Sequence, residues 1–244
     1  MKNFQLSLSL LILAGLSPSA FAQFSTNVVG YYNRPISAGD NLIANQLYAR
    51  TNTLNGLFLG GTPNGSTCTK WDAANQQFLP TSLYTSGSGW SINYDLQAGE
   101  GALFHTISSF TNTFVGEVHF LDGENVVFTY PSLAPGIFLL SCSVPAQATF
   151  NQVIGRNRYE TESVRRLDST LQSYYTTTFH NGAWDNGIPA LQIGESAFFT
   201  VVPEPGVSAL LACGVLILSI GRFAFARKYV KENAVPHPIS SFLE

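Results

Sequence analysis

Hydrophobic positions along this chain follow two patterns. Between residues 24 and 200 they come as short β-branched or aromatic runs bounded by Gly, Pro, Asn and Ser clusters. Examples are Val28-Val29-Gly30-Tyr31-Tyr32, Leu42-Ile43-Ala44, Ala102-Leu103-Phe104-His105 and Thr113-Phe114-Val115-Gly116-Glu117-Val118, then the runs at 126–130, 137–141, 174–179 and 196–202. That punctuation predicts strands joined by turns. Only 53–59 and 149–154 hint at helix, and both are short. Many short strands at regular spacing predict an all-β body, sandwich or barrel like. At the two chain ends the apolar runs are continuous, and these segments are set apart from the fold.

The amino-terminal end has the order of an export signal: Lys2, an apolar run over 6–16, then Ala20-Phe21-Ala22 ahead of Gln23. A basic start, a core too short to span comfortably and a small-x-small site predict a signal peptide over 1–22, cleaved before Gln23. The Sec export machinery is the implied partner. At the other end Val202-Pro203-Glu204-Pro205 precedes an apolar run from Val207 to Ile220, followed by Arg222, Arg227, Lys228 and Lys231. Two successive X-Pro bonds hold Val202 and Glu204 extended and remove two amide donors, so this segment joins neither a helix nor a central strand. A single transmembrane helix over about 207–226 is predicted if Arg222 snorkels, since a span needs roughly 20 residues. The basic flank then stays cytoplasmic with the tail 232–244, and the prolines face the exported side.

This tripartite tail resembles the PEP-CTERM sorting signal, here at 203–231, of bacterial envelope and exopolysaccharide-associated proteins. The resemblance implies an exosortase-like membrane enzyme as processing partner. It implies anchoring in the inner membrane, then release to the cell surface or extracellular matrix. An ordinary retained anchor with a proline hinge is the alternative. Asn41-Leu42-Ile43-Ala44-Asn45, Lys70-Trp71-Asp72 and the run at 113–118 also look like motifs of uncharacterised secreted proteins bearing the same tail, which adds export and a β fold but no functional residue.

The body repeats itself. Leu96-Gln97-Ala98-Gly99-Glu100-Gly101-Ala102-Leu103-Phe104 returns as Leu191-Gln192-Ile193-Gly194-Glu195-Ser196-Ala197-Phe198-Phe199, an offset of 95. Trp90 and Trp184, Asp72 and Asp168, Thr53-Leu54-Asn55 and Thr149-Phe150-Asn151, and Asn27-Val28-Val29 and Asn125-Val126-Val127 keep nearly that spacing in the same order. The period exceeds the 20 to 50 residues of solenoids and propellers. Two tandem β units are therefore expected, at 25–120 and 122–202, and the short linker favours intimate packing.

Charge then narrows the partners. Seven basic side chains of the body, Arg34, Arg50, Lys70, Arg156, Arg158, Arg165 and Arg166, are outnumbered by acids, and the whole chain carries a net charge of −3. Nucleic acid is not an expected partner. Glu160 and Glu162 interleave with the arginines at 156–166, which reads as a self-neutralising strand pair.

Candidate chemistry is sparse. The repeated acids Asp72, Asp168, Glu100 and Glu195 read as turn and loop chemistry, with a carboxylate pair of a glycoside hydrolase as the minority reading. Trp90 and Trp184 are expected to fill the same core or rim position of each unit, with a sugar-stacking platform as the alternative, and Trp71, matched by Leu167, to be in plain hydrophobic burial. His105 and His180 have no counterparts and His237 lies in the tail; His119, Asp122 and Glu124 have loop-metal spacing but read as a polar hairpin tip. No metal, cofactor or catalytic residue is expected. Asn64-Gly65-Ser66 reads as a turn. Cys213 belongs to the apolar tail segment, leaving Cys68 and Cys142 to form one disulfide across the units or to stay as buried thiols. These observations predict an exported, structural or adhesive envelope protein without catalysis. A carbohydrate-binding module for exopolysaccharide, stacking sugars on Tyr31, Tyr32, Tyr84, Tyr174 and Tyr175, is the alternative, and an envelope glycoside hydrolase the second.

Overall fold

The computed structural model describes residues 28–58, 60–118 and 133–203. Outside them lie the signal peptide with Ala20, Ala22 and Gln23, the strand expected at 126–130, and His119, Asp122 and Glu124. Also outside are Glu204, Pro205, Cys213, the expected membrane helix, Arg222, Arg227, Lys228 and Lys231, and the tail. The described chain is all-β apart from two short helices, and none of its helices is long and apolar enough to cross a membrane.

In chain order the first elements are β1 (Val28–Ile36), β2 (Gly39–Ala44), α1 (Leu54–Leu57), β3 (Thr67–Asp72), β4 (Gln77–Phe78), β5 (Ser82–Thr85), β6 (Gly89–Trp90), β7 (Gly101–Thr106) and β8 (Phe110–Val118). The rest are β9 (Gly136–Leu140), β10 (Ala148–Thr149), α2 (Phe150–Ile154), β11 (Ser163–Asp168), β12 (Ser173–His180), β13 (Ala183–Trp184), β14 (Ala190–Leu191) and β15 (Ala197–Val201). β1 and β8 form a separate antiparallel ribbon. Their strict alternation buries one face, where Tyr32 opposes Phe114 with rings stacked 4.9 Å apart. Tyr31 and its partner Val115 face outward.

Two larger sheets carry the rest. The first has the order β2-β7-β3-β5-β6 with β4 beside β3; the second has the order β9-β15-β11-β12-β13. Read from β2 and from β9, each sheet places its first strand beside its last, then continues through the intervening strands. Matching positions do matching work. Thr53 and Thr149 are the N-cap residues of α1 and α2, and Asp72 and Asp168 each accept the amides two and three residues ahead in the turn after β3 or β11. With only one turn each, these helices rest on caps and packing rather than propensity.

The sheets exchange contacts reciprocally. Ala44 N–H donates to Gly194 O at 3.0 Å, and Ser141 N–H donates to Gly99 O at 2.8 Å. Ile43 bridges Glu195 as Glu100 bridges Leu140. Gln76 and Gln172, both left-handed at φ 53 and 51, clamp the opposite unit. The Gln172 amide accepts from Asp40 N–H at 2.6 Å and donates to Asp40 O at 3.1 Å; Gln76 holds Ile137 N–H and O at 2.9 and 3.1 Å. A non-glycine residue at positive φ is costly, and paired backbone bonds across the interface offset that cost. Gly39 gives the clamp room, because a Cβ there would stand 2.5 Å from Gln172 Oε1.

One apolar cluster runs through both halves, joining Tyr32, Leu54, Phe58, Trp90 and Phe104 to Phe150, Phe179, Trp184, Leu191 and Phe199. Each such fully buried side chain stabilises the body by about 1.5 to 3 kcal/mol. Trp90 and Trp184 sit within this core. Cys68 and Cys142 are buried free thiols, the second of the two alternatives, and no bond joins the units there. The Cys142 sulfur accepts from Val144 N–H at 3.4 Å, and both thiols are buried in the shared apolar cluster.

Candidate functional site

The four repeated carboxylates are committed locally. Asp72 accepts Asn75 at both side chain and backbone, which holds its carboxyl below the usual range. Glu100 binds Lys70 at 2.9 Å and the Gln97 amide at 2.8 Å. Glu195 takes the corresponding Gln192 amide and a two-pronged contact from Arg166 at 2.9 and 2.8 Å. Each acid is thus tied to its own turn by an amide and, for the glutamates, to a cation on the neighbouring strand. Among the described residues no group of His, Cys, Asp and Glu could hold a metal ion.

Burial raises both thiols to about 12, the dominant cause in each case. Since the folded value lies above the ordinary one of 9.0, the neutral thiols support the fold fully below pH 9, and that support is lost as pH climbs toward about 12. A thiol reagent at neutral pH is expected to leave Cys68 and Cys142 unmodified in native protein and to label both in urea. Native-state labelling at the unfolded rate would contradict their burial.

The tyrosines divide sharply. Tyr32 is 7% exposed and donates its hydroxyl to Ala44 O, so it is a core residue and not a stacking platform; burial raises its pKa. Tyr84 is half-buried against Trp90. Tyr31 stands alone on the ribbon, 72% exposed. Tyr174 and Tyr175 lie side by side on β12 but under different arginines: Arg165 stacks over Tyr174 at 4.4 Å, Arg166 over Tyr175 at 5.5 Å.

Tyr174 opens onto a groove of about 480 Å³ across the outer face of the second sheet. Antiparallel register sets its floor, because outward side chains recur at every second position. Ile137, Thr200 and Ser163 form one row on β9, β15 and β11; Phe198, Arg165 and Thr176 form the next on β15, β11 and β12. The first unit adds Trp71 and Phe78, whose rings meet Phe198 edge-on at 5.5 and 6.0 Å. Trp71 is thus not plainly buried. Its indole N–H donates to Ile137 O at 2.8 Å, locking one wall of the groove to the other unit. Phe78, Phe198 and Arg165 carried no sign of this role in the sequence, since only strand pairing brings them together. A larger depression of about 720 Å³ beside the ribbon is lined by Ala49, Arg50, Thr51 and glycines, without the convergence of rings.

Beside the groove's Thr200 and Ser163 the chain leaves the body. β15 is a central strand, and the next residue, Val202, donates its N–H to Glu162 Oε1 at 3.2 Å. Glu162 is wholly buried and also binds Arg156 at 2.5 and 3.1 Å and the Tyr159 amide at 2.8 Å. Pro203 follows at once. No family model, curated protein or solved structure matches this chain.

Proposed function

We propose that this chain is an exported, non-catalytic envelope protein, delivered through its signal peptide, held by a C-terminal helix and processed at the Pro-Glu-Pro segment by an exosortase-like enzyme. Its body is read as two copies of one β unit, the second running directly into the sorting segment. The observation that carries this reading is the junction. The last strand among the described residues ends at Val201, Val202 is pinned to Glu162, and Pro203 begins the Pro-Glu-Pro run. A folded domain that stops where an extended, donor-poor segment starts presents that segment to a membrane enzyme without having to unfold. Intact-mass analysis of protein from envelope and medium is expected to give a chain beginning at Gln23 and lacking residues after the Pro-Glu-Pro segment. A mass retaining 206–244 in every fraction, with or without the processing enzyme, would leave a simple anchor instead.

A second reading concerns the body itself. The groove combines exposed ring faces and edges with Ser and Thr hydroxyls, the chemistry that holds pyranose rings, and its volume falls within the roughly 300 to 1,000 Å³ of ligand sites. This favours a polysaccharide-binding role, with Tyr174, Phe78 and Phe198 in place of the buried Tyr32. The commitment of Glu100 and Glu195 to Lys70 and Arg166 disfavours the hydrolase reading.

A further inference from the structure

The groove has one charged side chain in its lining, Arg165. Lys70, Arg156 and Arg166 each hold a carboxylate at 2.5 to 2.9 Å, whereas no described acid pairs with Arg165. Asp40 on the first sheet is paired with His105 at 2.7 Å. Arg165 is exposed and held flat over Tyr174, so its fork of donors is positioned but unspent, beside an 83° pairing of Trp71 and Phe198. A planar guanidinium in that state matches a carboxylate.

The backbone limits the kind of polymer that fits. β15 is hydrogen-bonded to β9 and β11, and β11 to β15 and β12, so these two central strands beneath the groove have no free ladder. On the edge strand β9, the Ile137 N–H and O are already used by Gln76 and Trp71. An extended peptide would find no main-chain partners on β15 or β11 or at Ile137. A glycan needs none.

We propose that this groove binds an acidic polysaccharide, with Arg165 pairing to a uronate carboxylate and the rings of Tyr174, Phe78 and Phe198 flanking the sugars. The assignment rests on the polysaccharide-binding reading of the same groove. The test uses the full chain in detergent, with affinity electrophoresis in polygalacturonate and in neutral dextran. Retardation by polygalacturonate is expected, weakening as salt is raised. Arg165→Gln should lower that affinity by about tenfold or more, and Phe78→Ser should also reduce it, with unchanged circular dichroism in both. Equal binding to dextran, or polygalacturonate binding indifferent to Arg165→Gln, would overturn the acidic assignment while leaving a neutral glycan site. Absence of binding to either polymer would overturn both.

Discussion

Glu162→Ala is expected to lower the stability of the body by about 2 to 4 kcal/mol, because it removes a fully buried acceptor shared by two backbone amides and the half-buried Arg156. Glu162 is 0% exposed, and its two oxygens receive Arg156, the Tyr159 amide and the Val202 amide. Removing it leaves the Tyr159 and Val202 N–H groups short of their acceptor and takes one partner from Arg156. The loss also frees the last residue before Pro203, so β15 should fray from its C-terminal end. Urea unfolding followed by fluorescence of the buried Trp90 and Trp184 measures the first effect. Protease sensitivity near Val202 measures the second. Glu100→Ala is the contrast, because its side chain is 40% exposed and its bond to Lys70 is worth about 1 kcal/mol or less. Equal losses for the two variants would show that the clamp has no special weight.

Gly101→Ala is expected to destabilise the body by forcing its two sheets apart. A Cβ at this position would lie 2.6 Å from Ser196 Cβ and Oγ and 2.8 Å from Leu139 Cγ. Gly101 is buried, and a β carbon does not approach another carbon so closely without displacing a strand. Overpacking of this kind costs about 1 to 3 kcal/mol, and here it would push the two sheets apart. Gly101 and Ser196 occupy the same place in the two units, each facing the other. A reciprocal interface has room for only one side chain where a residue meets its own counterpart, so one unit carries Ser and the other Gly. Ser196→Gly alone should cost about 1 kcal/mol through loss of the bond from its hydroxyl to Ile43 O. The double variant should therefore cost less than the sum, with a coupling of about 1 kcal/mol or more. Strict additivity by urea denaturation would mean that the two positions do not compete for the same space.

Much of the fold was legible because its signals are local. Alternation along β1 and β8, the Thr caps of both helices, and the Asp turns after β3 and β11 depend only on residues within a few positions of one another. Tyr32 shows the limit of that kind of reading. Beside Tyr31 it looks like half of an exposed aromatic pair, yet alternation alone requires the two to face opposite sides, and the core took Tyr32. The cysteines show another limit: a count of two in the body does not tell a staple from two separate buried thiols.

The amino-acid sequence by itself determined the β character of the body, its punctuation into strands and turns, and the order of apolar, proline and basic segments at the ends. These follow from backbone sterics and side-chain periodicity, which act over short distances. Only the tertiary structure decided that Gln172 would clamp Asp40 from 132 residues away, that Trp71 would lean on Ile137, and that Phe78, Phe198, Arg165 and Tyr174 would line one groove. A period of two tells which face a side chain takes but not which strand lies beside it. Neighbours are selected by packing across the whole core, where Gly101 leaves the room that Ser196 fills.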